Sequence, residues 1–113
     1  MKFMLAGNEI PITLYQTVTV TSLKQHLPTG LDFIKQGTMY VGRGHRKLDI
    51  GGVTMTSKLR KNALYYNDHL DALCFTTEDQ DVDIKMTCLG TFQEDMAEHV
   101  GDLEEFYVFL DED

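Results

Sequence analysis

The chain has 113 residues, of which 42% are hydrophobic and 25% are charged, and its formal net charge is −8. This composition is typical of a folded globular protein, and the length predicts one domain over residues 1–113. The opening apolar run is interrupted at Gly7 and is too short for a signal peptide or a membrane span, so we expect a cytoplasmic protein with no membrane partner. Cys74 and Cys88 are expected to be free thiols.

Charge is distributed unevenly along the chain. Residues 1–61 contain nine basic and three acidic residues, a net charge of +6, whereas residues 62–113 contain one basic and fifteen acidic residues, a net charge of −14. The basic residues are too few to neutralise this acid. A surplus of carboxylates must therefore face solvent or a partner.

Residues 1–28 predict a hairpin followed by a short helix. KFML and IPITLYQTVTV are predicted strands joined by the turn AGNE, and Pro11 places the start of the second strand at an edge or a bulge. TSLKQHL is predicted to be helical, with Thr21 or Ser22 as its cap and Pro28 at its end.

A second hairpin is predicted around the basic part of the chain. LDFIKQG is expected to form a short turn that closes on Gly37, and TMYVG and RKLDI are expected to pair as strands. The tip of this hairpin would expose residues 42–45. The candidate basic patch consists of Arg43, His45, Arg46, Lys47, Lys58, Arg60 and Lys61.

Residues 57–76 allow two structures. Leu59, Ala63, Tyr66, Leu70 and Leu73 have helical spacing, but bases would then lie at the start of the helix and acids at its end, against the helix dipole. The alternative is a strand NALYY, a turn NDH and a strand LDALCFT. We favour the two strands.

The last third of the chain predicts strand, helix and strand. VDIKMTCL alternates apolar and polar residues as a half-buried strand does, after a turn TTEDQD. TFQEDMAEHVG is a predicted helix, with a capping box of Thr91 and Glu94 and a stop at Gly101. Its buried stripe would consist of Phe92, Met96 and Val100. EEFYVFL is the last predicted strand.

These elements predict an α+β fold in which a mixed or antiparallel sheet carries one or two short helices. The order strand, strand, helix, strand over the first two thirds of the chain resembles the opening of a ubiquitin-like β-grasp in topology. The chain ends in Asp113 instead of a glycine pair, so no conjugation role is expected from this resemblance.

No metal, cofactor or catalytic residue is expected. Asp79, Asp81 and Asp83 have the spacing of calcium ligands, but Ile84 stands where the loop needs glycine and Gly90 where it needs glutamate. The histidines lack zinc-ligand spacing from the cysteines, and no nucleophile stands beside an activating base. GRGHRK lacks phosphate-loop spacing and interleaved aromatic residues, so direct nucleic-acid binding is not expected.

The acid surplus predicts a non-enzymatic acidic protein that inhibits or modulates a basic, nucleic-acid-handling partner, by analogy with viral nucleic-acid mimics. One alternative is an assembly subunit that self-associates through its oppositely charged halves. Another is a nucleic-acid-binding module that uses the basic stretch 43–61. The candidate partner-binding residues are Glu78, Asp79, Asp81, Asp83, Glu94, Asp95, Glu98, Asp102, Asp111, Glu112 and Asp113.

Overall fold

The computed structural model describes residues 1–44 and 46–113, which form a nearly closed barrel of antiparallel strands with two short helices. In chain order the elements are β1 (Lys2–Leu5), β2 (Asn8–Ile10), β3 (Ile12–Leu14), α1 (Val18–Lys24), β4 (Thr29–Gln36), β5 (Met39–Arg43), β6 (Thr56–Leu59), β7 (Ala63–Asn67), β8 (Ala72–Thr76), β9 (Gln80–Phe92), α2 (Met96–Val100) and β10 (Glu105–Asp111).

The barrel is closed by one extended segment that lies at both edges of the sheet. The strand order is β2-β1-β10-β4-β5-β8-β7-β9-β3, with β6 paired to β9 outside this path. Its two edge strands, β2 and β3, are consecutive in the chain and separated only by Pro11, which has no N–H to donate to a ladder. The sheet must therefore curl until its edges meet.

Close contact between β3 and β9 completes this closure. Leu14 pairs with Gly90, and a Cβ atom at Gly90 would overlap the carbonyl oxygen of Thr13. The Gln93 N–H donates to the Pro11 carbonyl at 3.0 Å just beyond the ladder. Glycine is thus required at position 90 for the strands to approach.

Aromatic side chains fill the barrel interior. The Phe3 ring lies edge-on to three others, with centroid distances of 4.8 Å to Phe92, 6.4 Å to Phe33 and 6.5 Å to Phe75. Edge-to-face pairs of this kind add to the stabilisation that burial of the rings gives. The main core therefore joins strands from both ends of the chain.

Three strands of the barrel are buried on both faces. In β5, β7 and β8, alternate residues face the interior, and the others form a second apolar cluster outside the barrel that includes Val41, Tyr65 and Cys74. Leu59 of β6 and Met86 of β9 cover this cluster. All five residues of β7 and of β8 are buried, so neither strand shows the apolar–polar alternation of a half-buried strand. Periodicity alone therefore cannot distinguish these segments from a buried helix.

Both helices begin at residues other than those predicted. The N-cap of α1 is Thr17, whose hydroxyl accepts from the Val20 N–H, so caps at Thr21 or Ser22 are wrong. The N-cap of α2 is Asp95, and the predicted capping box is wrong because Thr91 lies within β9.

The predicted helix is confirmed only over Met96–Val100 and its stop at Gly101, because Phe92 of the predicted stripe belongs to β9. Met96 and Val100 are buried in the helix, Phe92 is buried just before it, and Gly101 ends it with a φ of 51°.

The predicted second hairpin is also wrong. LDFIKQ belongs to β4, whose Leu31 and Phe33 point into the core, and β5 pairs with β4 and β8 instead of with RKLDI. Residues 46–55 contain no strand; Leu48 is buried and anchors this segment to the barrel. The remaining predicted tip residue, His45, lies outside the described residues.

The α+β prediction and the β-grasp resemblance are both incorrect. The antiparallel sheet curls into a nearly closed barrel, and the helices have seven and five residues, too few to cover one face of an open sheet. The strand interpretation of residues 57–76 is confirmed by β7 and β8, although β6 was not predicted, and the last two predicted strands correspond to β9 and β10. Among the described residues no helix is long and apolar enough to cross a membrane.

Candidate functional site

Three turns and α2 meet at one end of the barrel. The Thr77 N–H, after β8, donates to the carbonyl of Thr38 in the β4–β5 turn at 3.0 Å. In the β6–β7 turn, the Asn62 N–H donates to the Thr76 carbonyl at 3.3 Å, and the Asn62 carbonyl accepts from the Phe92 N–H at 2.8 Å. These bonds bring together segments that are far apart in the sequence.

Asn62 also positions α2. Its side-chain Oδ1 accepts from the Met96 N–H at 2.9 Å, and that N–H belongs to the first helical turn, where it has no partner within the helix. The φ of Asn62 is 63°, a left-handed conformation that asparagine tolerates better than most residues. Sequence reasoning missed this residue, because Asn62 was predicted to be the first residue of the strand NALYY.

Six predicted partner-binding residues lie at this end, and all six are exposed. We call them the acidic end surface: Glu78, Asp79, Glu94, Asp95, Glu98 and Asp102. The chain neighbours of Glu78, Glu98 and Asp102, which are Thr77, Ala97 and Gly101, line one depression of about 120 Å³ together with Lys35 and Tyr40. Beside it the Leu103 side chain is 42% exposed, and the Leu103 carbonyl accepts from the Tyr40 hydroxyl at 3.2 Å. The lining of the depression is therefore mixed, with the basic Lys35 and two threonines beside apolar groups, and exposed carboxylates lie around it.

Half of these carboxylates stabilise the local structure. Asp95 Oδ1 accepts from the Ala97 N–H at 3.3 Å, and Asp79 Oδ1 accepts from the Lys61 N–H at 2.9 Å. Glu94 Oε1 lies 2.6 Å from His99 Nε2.

The other three are available to a partner. Glu78, Glu98 and Asp102 form no side-chain hydrogen bond or ion pair with the described part of the chain.

The remaining predicted acidic residues lie elsewhere. Asp81 and Asp83 are in the first half of β9, on the outer face of the barrel. Asp111, Glu112 and Asp113 are at the opposite end, where Asp113 Oδ1 accepts from the N-terminal ammonium at 2.9 Å. This bond and the charge of the ammonium lower the pKa of Asp113. The acidic residues predicted as one set thus occupy three places.

The predicted basic patch is divided between the two ends. Arg46 lines a pocket at the α1 end of the barrel, close to Arg43 and Lys47 in the chain. Lys58, Arg60 and Lys61 belong to β6 and the following turn, near the acidic end surface. They form no continuous surface with the first group. His45 lies outside the described residues.

The pocket at the α1 end is small, and hydrogen bonds of the Tyr66 hydroxyl fix the segments around it. The Tyr66 hydroxyl donates to Asp71 Oδ1 at 2.8 Å and accepts from the Leu48 N–H at 3.1 Å, while the Asp49 N–H donates to Ser22 Oγ. Residues 46–55 are thereby tied across the barrel end. The cavity below has a volume of about 30 Å³, enough for one or two water molecules.

Burial makes the potentially nucleophilic groups less reactive. It raises the pKa of the Cys74 thiol and of the Tyr66 phenol to about 12, and it also raises the pKa values of Cys88 and Tyr65. Few of these groups are ionised at neutral pH. Within residues 1–44 and 46–113, no group of three or more His, Cys, Asp or Glu side chains is placed to hold a metal ion.

Residues 3–109 match the profile of the Cyclophilin-like family. The chain belongs to this family. Its fold is also similar to the solution structure of the hypothetical protein AF2241 from Archaeoglobus fulgidus, with a TM-score of 0.70 and 13% sequence identity over 97% of this chain and 91% of that one. A likeness at this identity concerns the fold alone and agrees with the barrel described above. The comparison with curated proteins gives no match.

Proposed function

We propose that this cyclophilin-like chain is a non-enzymatic binding protein whose acidic end surface docks onto a basic surface of a partner protein, and that the partner is one that handles nucleic acid. The observation that carries the proposal is the exposure of six carboxylates, from the turn after β8 and from the α2 region, at the end of the barrel where Thr77, Ala97 and Gly101 line one depression. Carboxylates in such an arrangement attract basic surfaces and accelerate association.

The shape of this end supports a protein partner. The exposed Leu103 provides an apolar contact, and Glu78, Glu98 and Asp102 provide charges that the described part of the chain leaves unpaired. A basic surface with one projecting apolar side chain would match both features. A small molecule would find little enclosure, because the depression is shallow and holds about 120 Å³.

The high pKa values of the buried thiols and phenols support the non-enzymatic part of the proposal. The nucleic-acid-binding alternative has less support, because the basic residues of the stretch 43–61 lie at two ends of the barrel and one group adjoins acid. Inhibition of the partner is the outcome we expect, since an acidic surface would occupy the basic groove that the nucleic acid needs.

A pair of charge-reversal variants tests the location. Glu78→Lys with Glu98→Lys changes the acidic end surface, and Asp49→Lys with Glu112→Lys is the matched control, since both double variants raise the net charge by the same amount. All four residues are exposed, so each substitution should change stability by no more than about 0.5 kcal/mol.

The probe is a labelled twelve-residue peptide with six lysines and two leucines, and binding is followed by fluorescence anisotropy and amide chemical shifts. We expect the first variant to bind about tenfold more weakly, as the loss of two favourable charges implies, and the control to bind nearly as the native chain does. Shifts should concentrate in residues 77–79 and α2. Equal weakening in both variants would mean that only net charge matters, and the proposal would fail.

A further inference from the structure

A protrusion and a groove lie side by side on the outer face of the barrel. In the β6–β9 ladder, Thr56 pairs with Met86 and Lys58 with Asp81, so residues 82–85 stand opposite Ser57 alone. Four residues against one must bulge out of the ladder. We call residues 82–85 the β9 bulge; within it Asp83, Ile84 and Lys85 are all exposed.

The neighbouring groove runs along β4 and β5. It has a volume of about 410 Å³, and its lining includes Asp32, Ile34, Val41 and Arg43. Ile34 and Val41 pair in register and form its apolar floor, with Ile34 52% exposed. Phe33 and Gly42 form the next pair along these strands, and Asp32 and Arg43 come directly after that pair, at one end of the groove. This β4–β5 groove thus presents an apolar floor beside one negative and one positive charge.

The bulge and the groove carry complementary chemistry. Ile84 of the bulge is 38% exposed and stands in the chain between a negative Asp83 and a positive Lys85. None of the four charged residues in the two features forms an ion pair within the described part of the chain: Asp32, Arg43, Asp83 and Lys85. Asp83 placed against Arg43, and Lys85 against Asp32, would leave Ile84 over the apolar floor.

The two features are adjacent on one face. The depression between the bulge and β5 has a volume of about 370 Å³ and shares Gln36 and Val41 with the β4–β5 groove. A two-fold axis that lies in the plane of this face and passes between the two features turns a second copy to face the first and exchanges them. Each copy then inserts its bulge into the groove of the other, and the contact is made twice. A second copy of the chain is therefore the occupant that this face fits.

We propose that the chain forms a two-fold homodimer through this face, with the β9 bulge of each copy in the β4–β5 groove of its partner. The two insertions give a small interface, so the dimer is reversible. The net charge of −8 on each copy opposes association at long range, but salt at physiological strength screens it beyond about 8 Å. This surface is separate from the acidic end surface.

Charge reversal of one contact pair tests the dimer. Asp83→Arg places two cations together at each contact, and Arg43→Asp places two anions together, so each variant alone should dimerise at least tenfold more weakly than the native chain. In an equimolar mixture every contact again joins opposite charges, so the mixture should regain the dimer. The measurement is sedimentation velocity over a concentration series in 150 mM salt, about the physiological ionic strength.

Matched controls separate position from net charge. Asp49→Arg and Lys47→Asp change the charge by the same amounts at exposed residues that line neither feature, and they should leave the dimer intact. A native chain that stays monomeric at every concentration would overturn the proposal. A dimer that neither single variant weakens would also overturn it. A mixture of the two variants that stays monomeric would overturn it as well, because it would show that residues 43 and 83 do not meet across copies. Association of the groove with another protein alone would also overturn it.

Discussion

Substitution of Asn62 should destabilise the barrel more than its partly exposed position in a turn suggests. Asn62→Ala removes the acceptor for the Met96 N–H, which costs about 1 kcal/mol because Met96 is fully buried. It also forces alanine into a φ of 63°, which costs about 1–2 kcal/mol for a residue with a Cβ and no local hydrogen bond. We expect a total loss of about 2.5 kcal/mol.

Two further variants separate these causes. Asn62→Gly tolerates the positive φ and loses only the hydrogen bond and some unfolded-state entropy, so it should cost about 1.5 kcal/mol. Asn62→Asp keeps an acceptor at the start of α2, where negative charge is favourable, and should cost less than about 1 kcal/mol. Urea unfolding measures the three free energies. If Asn62→Ala is no worse than Asn62→Gly, the strain argument is refuted; if neither differs from the native chain, the Met96 bond contributes nothing.

Three other predictions concern the closure of the barrel and its buried groups. Gly90→Ala should cost about 1–3 kcal/mol by urea unfolding, since its Cβ meets the Thr13 carbonyl, whereas Gly51→Ala, with open space around it, should cost under about 0.5 kcal/mol. The pKa of Tyr66 is raised to about 12, so the stability that its neutral phenol contributes is present below pH 10 and is lost as the pH rises toward 12. In thermal melts, the Tyr66→Phe variant should therefore lose less stability over that pH range than the native chain does. Cys74, with a pKa near 12, should react with a thiol reagent at pH 8 only in urea, and fast reaction of the folded chain would contradict its burial.

Elements whose signal is local were predicted correctly. The strand β10 and the second half of β9 follow from alternation and nearby turn residues, and Gly101 ends α2 because a left-handed stop needs only its own backbone freedom. β4 was missed because Ile34 and Gly37 obscure its alternation. Ile34 faces outward, where it lines the outer groove instead of the core. An apolar–polar pattern assigns isoleucine to the core, so it cannot predict an isoleucine that is exposed on the outer face of the barrel.

The barrel itself depends on contacts that the sequence pattern does not contain. Closure requires that β2 and β3 lie at opposite edges of one sheet, yet Pro11 predicts only that an edge or a bulge is near. The acidic end surface depends on the same closure. Exposure of Glu98 and Asp102 follows from the helical pattern, but their position at the same end as Glu78 depends on Asn62, whose bonds to Thr76 and Met96 join the end of β8 to α2.

The barrel order also changes the meaning of the uneven charge. The basic half of the chain supplies β1 to β6 and the acidic half supplies β7 to β10, but the sheet places β10 between β1 and β4, and β8 beside β5. Strands from the two halves are therefore interleaved around the barrel, with β10 between β1 and β4 and with β3 beside β9, and the +6 and −14 segments do not become two opposite faces. Head-to-tail assembly through oppositely charged halves loses its geometric basis in this arrangement. The acid surplus instead collects on turns, where carboxylates avoid desolvation, and a partner of the chain would meet it at the α2 end of the barrel.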